Sequence, residues 1–103
     1  RDIDSGPVLV TVEYWIDPAR MAEFMAAMRA MKRIRRRDGA MQWGLYEDAS
    51  RKGVVLETFT VESWLEHKRQ HRRITNADRV EQDVVRAFHL DDEPPLVRHF
   101  IAP

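Results

Sequence analysis

An α+β domain with the element order β-α-β-β-α-β is predicted by three features of the sequence. Alternating apolar residues mark strands, apolar residues three and four apart mark helices, and turn or capping residues separate them. The chain has 103 residues, so we expect one domain over residues 1–103. Its 17 basic and 17 acidic side chains cancel, which gives no overall attraction to nucleic acid. Cysteine is absent, which excludes disulfides and cysteine metal sites.

The first half predicts a strand followed by a helix. Residues 8–16, VLVTVEYWI, alternate as a half-buried strand does. Asp17 suits a helix N-cap and Pro18 suits the first helical position. Apolar side chains then recur at helical spacing, at Met21, Phe24, Met25, Met28, Met31 and Ile34. Gly39 ends this helix after a basic last turn.

Two further strands and a pair of short helices are predicted next. Residues 40–48 alternate, residues 53–61 carry apolar side chains on both faces, and the turn ASRKG between them predicts a hairpin. Ser63 has the spacing of a capping box with a glutamate, and Thr75 has it with an aspartate, so the helical segment divides in two. The second helix begins near Asn76, and one stripe of it holds Ala77, Val80, Val84, Ala87 and Phe88.

The last strand covers residues 96–101, LVRHFI, beyond the break DDEPP. An antiparallel sheet with helices on one face closes these elements into a ferredoxin-like fold. The opposite sheet face would leave apolar residues in water on a single copy. We therefore expect a homodimer that packs sheet against sheet, a dimeric α+β barrel.

The stretch ESWLEHKRQHRRIT, residues 62–75, is the first candidate site. Trp64, His67 and His71 fall on one helix face that points to the sheet. Three interpretations stay open: hydrogen-bonded histidines of structural purpose, the wall of a ligand pocket, or a metal pair. Because no third metal ligand is evident, no metal is expected. Asn76 is a cap or a pocket residue, and Trp43 belongs to the core, a dimer contact or the pocket.

A basic stretch in the first helix is the second candidate site. The sequence RAMKRIRRR contains Lys32, Arg33, Arg35, Arg36 and Arg37 without a balancing acid. It is a solvated helix face, a surface for anionic lipid headgroups, or a surface for nucleic acid. No nucleic-acid motif with interleaved aromatic residues accompanies it, so no nucleic acid is expected.

The junction ESWLEH, in a chain with this element order, resembles the antibiotic biosynthesis monooxygenases. That family is a group of dimeric α+β barrels that oxidise aromatic substrates without metal or flavin. It tends to have a histidine in this helix, and His67 is the matching position. The resemblance implies an aromatic substrate among Trp64, His67, His71 and Asn76. The related haem-degrading monooxygenases carry an asparagine in the first strand, which this chain lacks.

A second resemblance runs over residues 7–99. The pieces PVLVTVEYWIDPAR, RIRRRDGA and ETFTVESWLEHKRQHRRIT resemble the cytosolic C-terminal tail of major facilitator superfamily exporters. These are the transmembrane secretion effectors, or enterobactin-exporter-like permeases. The resemblance implies a piece of a longer transporter, at the cytoplasmic face of the inner membrane. Its role would be dimerisation, regulation or small-molecule sensing, with no cofactor and no catalysis of its own.

Two alternatives to that function are kept. The first is a cofactor-independent monooxygenase that acts on a small aromatic ligand. The second is a haem-binding relative that uses His67 or His71.

Overall fold

The computed structural model describes residues 5–72 and 75–103, without the side chains of residues 70–72. Four strands and three α-helices follow in the predicted order. They are β1 Val8–Trp15, α1 Met21–Arg37, β2 Gln42–Glu47, β3 Val54–Val61, α2 Trp64–Arg72, α3 Asn76–Arg86 and β4 Leu96–Ile101. The predicted β-α-β-β-α-β order, with its divided second helical segment, is confirmed.

The four strands form one antiparallel sheet in the order β2-β3-β1-β4. β1 is central, and its Val8 lies opposite Val61 of β3 and Ile101 of β4. The even-numbered residues of β1 are buried against the helices, together with Phe24, Met28 and Met31 of α1. This is the ferredoxin-like fold that the sequence predicts.

The ends of α1 follow from local chemistry, with one difference from the prediction. The Asp17 side chain accepts a hydrogen bond from the Ala19 amide, but it caps a single 3-10 turn, Pro18–Arg20, and the α-helix begins only at Met21. Gly39 ends the helix as predicted. Its φ of 105° lies in the region that favours glycine, and its amide bonds back to the Arg36 carbonyl at 3.1 Å.

Both predicted helix caps after β3 are present. The Ser63 hydroxyl accepts from the Glu66 amide at 3.1 Å, and Thr75 and Asp78 form a reciprocal capping box at the start of α3. None of the helices in the described residues is long and apolar enough to cross a membrane.

The predicted apolar stripe of α3 is not the face that packs. Val80 is 60% exposed and Val84 is also exposed, whereas Asp78 and Val85 are buried. On this buried row Asp78 pairs with Arg37 of α1 at 2.6 Å, so the row that faces the core is tied to α1 by a polar contact as well as by Val85.

The sheet face away from the helices carries exposed apolar side chains, as the sequence predicts. Five of its large residues are 37–60% exposed, namely Leu9, Trp15, Tyr46, Leu96 and Phe100. The pairing register places them on one face, since Leu9 lies opposite Phe100 and Tyr46 lies opposite Leu56.

We predict that Val85→Ala lowers the free energy of unfolding by about 2 kcal/mol, because it removes buried methyl groups and leaves a cavity. Val80→Ala, the same change on the same helix, should alter it by less than about 0.5 kcal/mol. Urea denaturation of both variants measures the difference. Equal effects would mean that Val85 is packed no better than Val80, which would contradict the assigned orientation of α3.

Candidate functional site

A cavity of about 430 Å³ lies between the helices and the sheet. Apolar side chains of β1, β3 and β4 form its floor, and the opposite wall is made by the end of α1, by α2 and by α3. The lining residues are Val10, Val12, Tyr14, Met31, Arg35, Asp38, Phe59, His67, Gln82, Val85, Arg86, Pro95, Val97 and His99. Its volume lies in the range of sites for small molecules.

A buried carboxylate stands beside this cavity. Glu57 lies on the core face of β3 because the strand alternates, and its side chain is 0% exposed. Its carboxylate accepts four hydrogen bonds. Tyr14 donates at 3.0 Å, Arg35 donates twice at 3.0 and 3.2 Å, and the Trp43 indole donates at 2.9 Å. The charge is therefore paired and fully hydrogen-bonded, which is what a buried carboxylate needs.

The groups around Glu57 keep their protons. Burial, and then the negative charge of Glu57, raise the pKa of the Tyr14 phenol well above its ordinary value. Burial acts to lower the pKa of Arg35, but the charge of Glu57 and its hydrogen bonds outweigh this and raise it. A neutral phenol and a charged guanidinium thus line the cavity beside Phe59, whose ring lies 4.6 Å from the Arg35 guanidinium carbon.

Two histidines form a second polar group on the cavity wall. Nε2 of His67, in α2, lies 3.0 Å from Nε2 of His99, in β4. A hydrogen bond between these atoms requires one nitrogen to carry a proton and the other to accept it. The Trp64 ring contacts both imidazoles, with centroids 5.6 Å from His67 and 5.3 Å from His99. His67 is 6% exposed, so helix α2 presents it inward as its position on the predicted stripe requires.

The rim of the cavity is polar after α1 and along α3, where Asp38, Gln82 and Arg86 line it. Arg37 donates to Asp38 at 3.3 Å and to Asp78 at 2.6 Å. The hydrogen bond from Arg37 lowers the pKa of Asp78, against the effect of burial. In the described part of the chain no acid lies within ion-pair distance of Arg86, so this exposed guanidinium is the cation of the rim that a ligand would meet.

The predicted pocket residues are only partly brought together. His67 lines the cavity, and Trp64 contacts its ring without lining the cavity itself. Trp43 does not line the cavity, and its indole N–H donates a hydrogen bond to Glu57. Asn76 is an exposed residue in the first turn of α3. The side chain of His71 lies outside the described residues. No group of three histidine, aspartate or glutamate side chains among the described residues is placed to hold a metal.

Sequence reasoning missed most polar residues of the site, including Tyr14, Arg86, Glu57 and His99. The available signal for Glu57 was that it is an acidic residue on the core face of β3, where its neighbours on the same face are apolar. The available signal for His99 was its position between two apolar residues, Val97 and Ile101, on the helix-facing side of β4. Neither position reveals its partners until the strands and helices are assembled.

The structure divides the predicted basic patch. Arg35 points inward to Glu57, and Arg37 is held by Asp38 and Asp78. Lys32, Arg33 and Arg36 are exposed, as is Arg29 one turn earlier. The Lys32 ammonium also lies 5.5 Å from the centroid of the Trp43 ring.

Comparison with known families decides the membership of the chain. Residues 2–103 match the family described as transmembrane secretion effector. The chain belongs to this family. The resemblance read from the sequence is thereby confirmed. No curated protein matches the chain.

Solved structures of the same fold are antibiotic biosynthesis monooxygenases and their relatives. One from Caulobacter crescentus is 16% identical with a TM-score of 0.79, and the match covers 98% of this chain and 93% of that one. One from Bordetella bronchiseptica is 19% identical with a TM-score of 0.75, and the match covers 92% of this chain and 95% of that one. The cofactor-independent oxygenase SnoaB of Streptomyces nogalater is 12% identical with a TM-score of 0.66, and the match covers 93% of this chain and 90% of that one. At these identities the likeness is one of fold.

We predict that Tyr14→Phe lowers the free energy of unfolding by about 1–3 kcal/mol, because it removes one of the donors to a buried charge. Tyr46→Phe is the matched control, since Tyr46 is exposed and the chain has only these 2 tyrosines. Its effect should stay below about 0.5 kcal/mol. Thermal or urea unfolding checks both; a Tyr14 variant as stable as the control would contradict the assigned network.

Proposed function

We propose that this chain is a ligand-sensing and dimerising domain of a major facilitator superfamily exporter, at the cytoplasmic face of the membrane. The family supports the transporter, since residues 2–103 belong to the transmembrane secretion effectors. The cavity supports the sensing role. It is the single observation that carries the proposal, because an exporter domain with a formed pocket has the means to detect a small molecule.

The lining of the cavity favours a small aromatic molecule with an acidic group. Its floor is apolar, with Val10, Val12 and the ring of Phe59, and such walls take flat apolar ligands. Arg86 at the rim supplies a guanidinium with no acid of the described residues within ion-pair distance, which suits a carboxylate or phenolate. The His67–His99 pair offers a donor or acceptor on the same wall. A hydroxylated aromatic acid satisfies all three.

The open face of the sheet supports the dimer. A second copy would cover its exposed apolar residues, which include Leu9, Trp15 and Phe100. This arrangement leaves the cavity free, because the cavity lies on the helix side. Strands β1 and β4 contribute to both faces by alternation: Val10 and His99 face the cavity, while Leu9 and Phe100 face the partner. A ligand that moves these strands would change the dimer contact, which is a direct route for sensing.

Cofactor-independent oxygenation is the second candidate, and the histidine pair is the observation that favours it. An imidazole that accepts a proton at the cavity wall could act as a general base toward an aromatic substrate. Removal of a proton from a ring-flanked methylene carbon gives a carbanion that dioxygen oxidises. One oxygen atom enters the product as a carbonyl, and the other leaves as water with the two hydrogens. The fold shared with SnoaB is consistent with this chemistry.

For the sensing role we predict that 1-hydroxy-2-naphthoate binds the chain and that Arg86→Gln weakens this binding by about 10- to 100-fold, the worth of a charge-assisted hydrogen bond. Arg79→Gln, on the exposed side of α3, should leave the affinity unchanged. Affinity of the neutral 2-naphthol should respond to neither change. Isothermal titration calorimetry measures the affinities of the native chain and of both variants for the two ligands. Absence of binding, or equal loss in the two variants, would refute the proposed site.

For the oxygenase we predict that the chain consumes dioxygen with an anthrone, one molecule per carbonyl formed. His67→Gln should slow this at least about 100-fold, as loss of a general base does. An oxygen electrode, with product analysis, measures the rate against the uncatalysed reaction. If native chain and variant both match the background rate, the domain is not an oxygenase, and the sensing role is untouched.

For the dimer we predict that the native chain sediments as two copies at micromolar concentration and that Phe100→Glu gives single chains. A buried, unpaired charge in that interface is costly. Val84→Glu adds the same charge to an exposed apolar position on α3 and should leave the dimer intact. Analytical ultracentrifugation gives the masses. If the native chain sediments as a monomer, the proposed sheet-to-sheet dimer is wrong.

A further inference from the structure

The outer face of α1 carries a row of four exposed cations. Arg29, Lys32, Arg33 and Arg36 follow one another at spacings of three, one and three residues. At about 100° per residue they fall within an arc of roughly 100°, and the row is about 10 Å long. The opposite side of the helix is packed on the sheet through Phe24, Met28, Met31 and Ile34, so the row points away from the core. We call these four residues the cationic row.

Nothing in the described part of the chain neutralises the cationic row. No acid there lies within ion-pair distance of any of its four members, although the nearby Arg35 and Arg37 both have acid partners. The structure thus separates the cations of α1 into two groups. Arg35 and Arg37 hold the fold together, and the cationic row is left for solvent or a partner. Because the whole chain has a formal net charge of zero, this is a local concentration of charge and not a general excess.

We propose that the cationic row docks the domain on the anionic phospholipid headgroups of a membrane. Headgroup phosphates bind arginine and lysine by charge and by hydrogen bonds, and each basic residue near such a surface strengthens binding by about fivefold. A row on a single helix face can meet a flat surface with all its members at once.

Membership in a transmembrane family supports the choice of a lipid surface over other polyanions, because it places a bilayer near the domain. The proposal goes beyond the sensing role and does not depend on it. The cationic row lies on the outer face of α1, whereas the cavity and the dimer face lie on the two sides of the sheet. The three surfaces can therefore be occupied together.

Cosedimentation with lipid vesicles tests the proposal. The chain should sediment with vesicles of equal parts phosphatidylglycerol and phosphatidylcholine and not with phosphatidylcholine alone, at about 0.1 M salt. Arg29→Gln with Arg33→Gln should weaken the partition coefficient by about 30-fold. The matched control is Lys52→Gln with Arg79→Gln, two exposed cations outside the row, with the same loss of charge. The control should lose less than about threefold, and roughly 0.5 M salt should release the native chain.

Three results would overturn the proposal. The first is no sedimentation with anionic vesicles at millimolar lipid. The second is an equal loss for both double variants, which would reduce the effect to net charge. The third is tighter binding to a short DNA duplex than to vesicles, through the same residues, which would make the row a nucleic-acid surface. Circular dichroism checks that each variant is folded, and Lys32→Gln with Arg36→Gln provides a second pair if the first is not.

Discussion

The buried carboxylate of Glu57 is the interaction on which the remainder of the structure depends. It joins four elements at one point, because Tyr14 comes from β1, Arg35 from α1, Trp43 from β2 and the carboxylate itself from β3. A buried charge is costly unless it is paired and its acceptor positions are filled, and here both conditions are met. Since the guanidinium is carried by the last turns of α1, this network fixes where that helix crosses the sheet. The cavity lies directly beside it, and Tyr14 and Arg35 are part of its lining.

The sheet then divides the tasks of the domain between its two faces. The helix side encloses the cavity, with the His67–His99 pair on its wall. The other side presents exposed apolar residues suited to a second copy. The alternation of β1 and β4 means that the same strands contribute side chains to both faces, so the proposed ligand and the proposed second copy would contact one shared element. The outer face of α1 adds a third surface, the cationic row, which neither of these uses would cover.

Most of the fold could be predicted from the sequence, because strands and helix ends are local properties. Alternation located β1 and β2, a run apolar on both faces located β3, and the break DDEPP preceded β4. The capping boxes divided the second helical segment, and Gly39 marked the end of α1. The orientation of α3 could not be predicted in this way. Its apolar stripe favoured one buried face, but the structure buries another face, on which Asp78 pairs with Arg37. That pair joins residues far apart in sequence, so the hydrophobic pattern of α3 cannot predict it.

The candidate site was less accessible for the same reason. His67 and Trp64 were found because their spacing placed them on one helix face. His99 and Glu57 lie on strands, and their roles depend on which helix covers them. Arg35 shows the limit most clearly, since in the sequence it is one arginine of a basic stretch and in the fold it is the partner of a buried acid. Its neighbours in the stretch stay at the surface.

A double-mutant cycle between Arg35 and Glu57 tests this account most directly. Unfolding free energies would be measured for the native chain, Arg35→Met, Glu57→Gln and the double variant. Each single change leaves its partner buried without its charge pair, so the account predicts a favourable coupling energy of about 2–3 kcal/mol. A coupling energy below about 0.5 kcal/mol would show that the two side chains do not depend on each other, and the central role given to this carboxylate would be wrong.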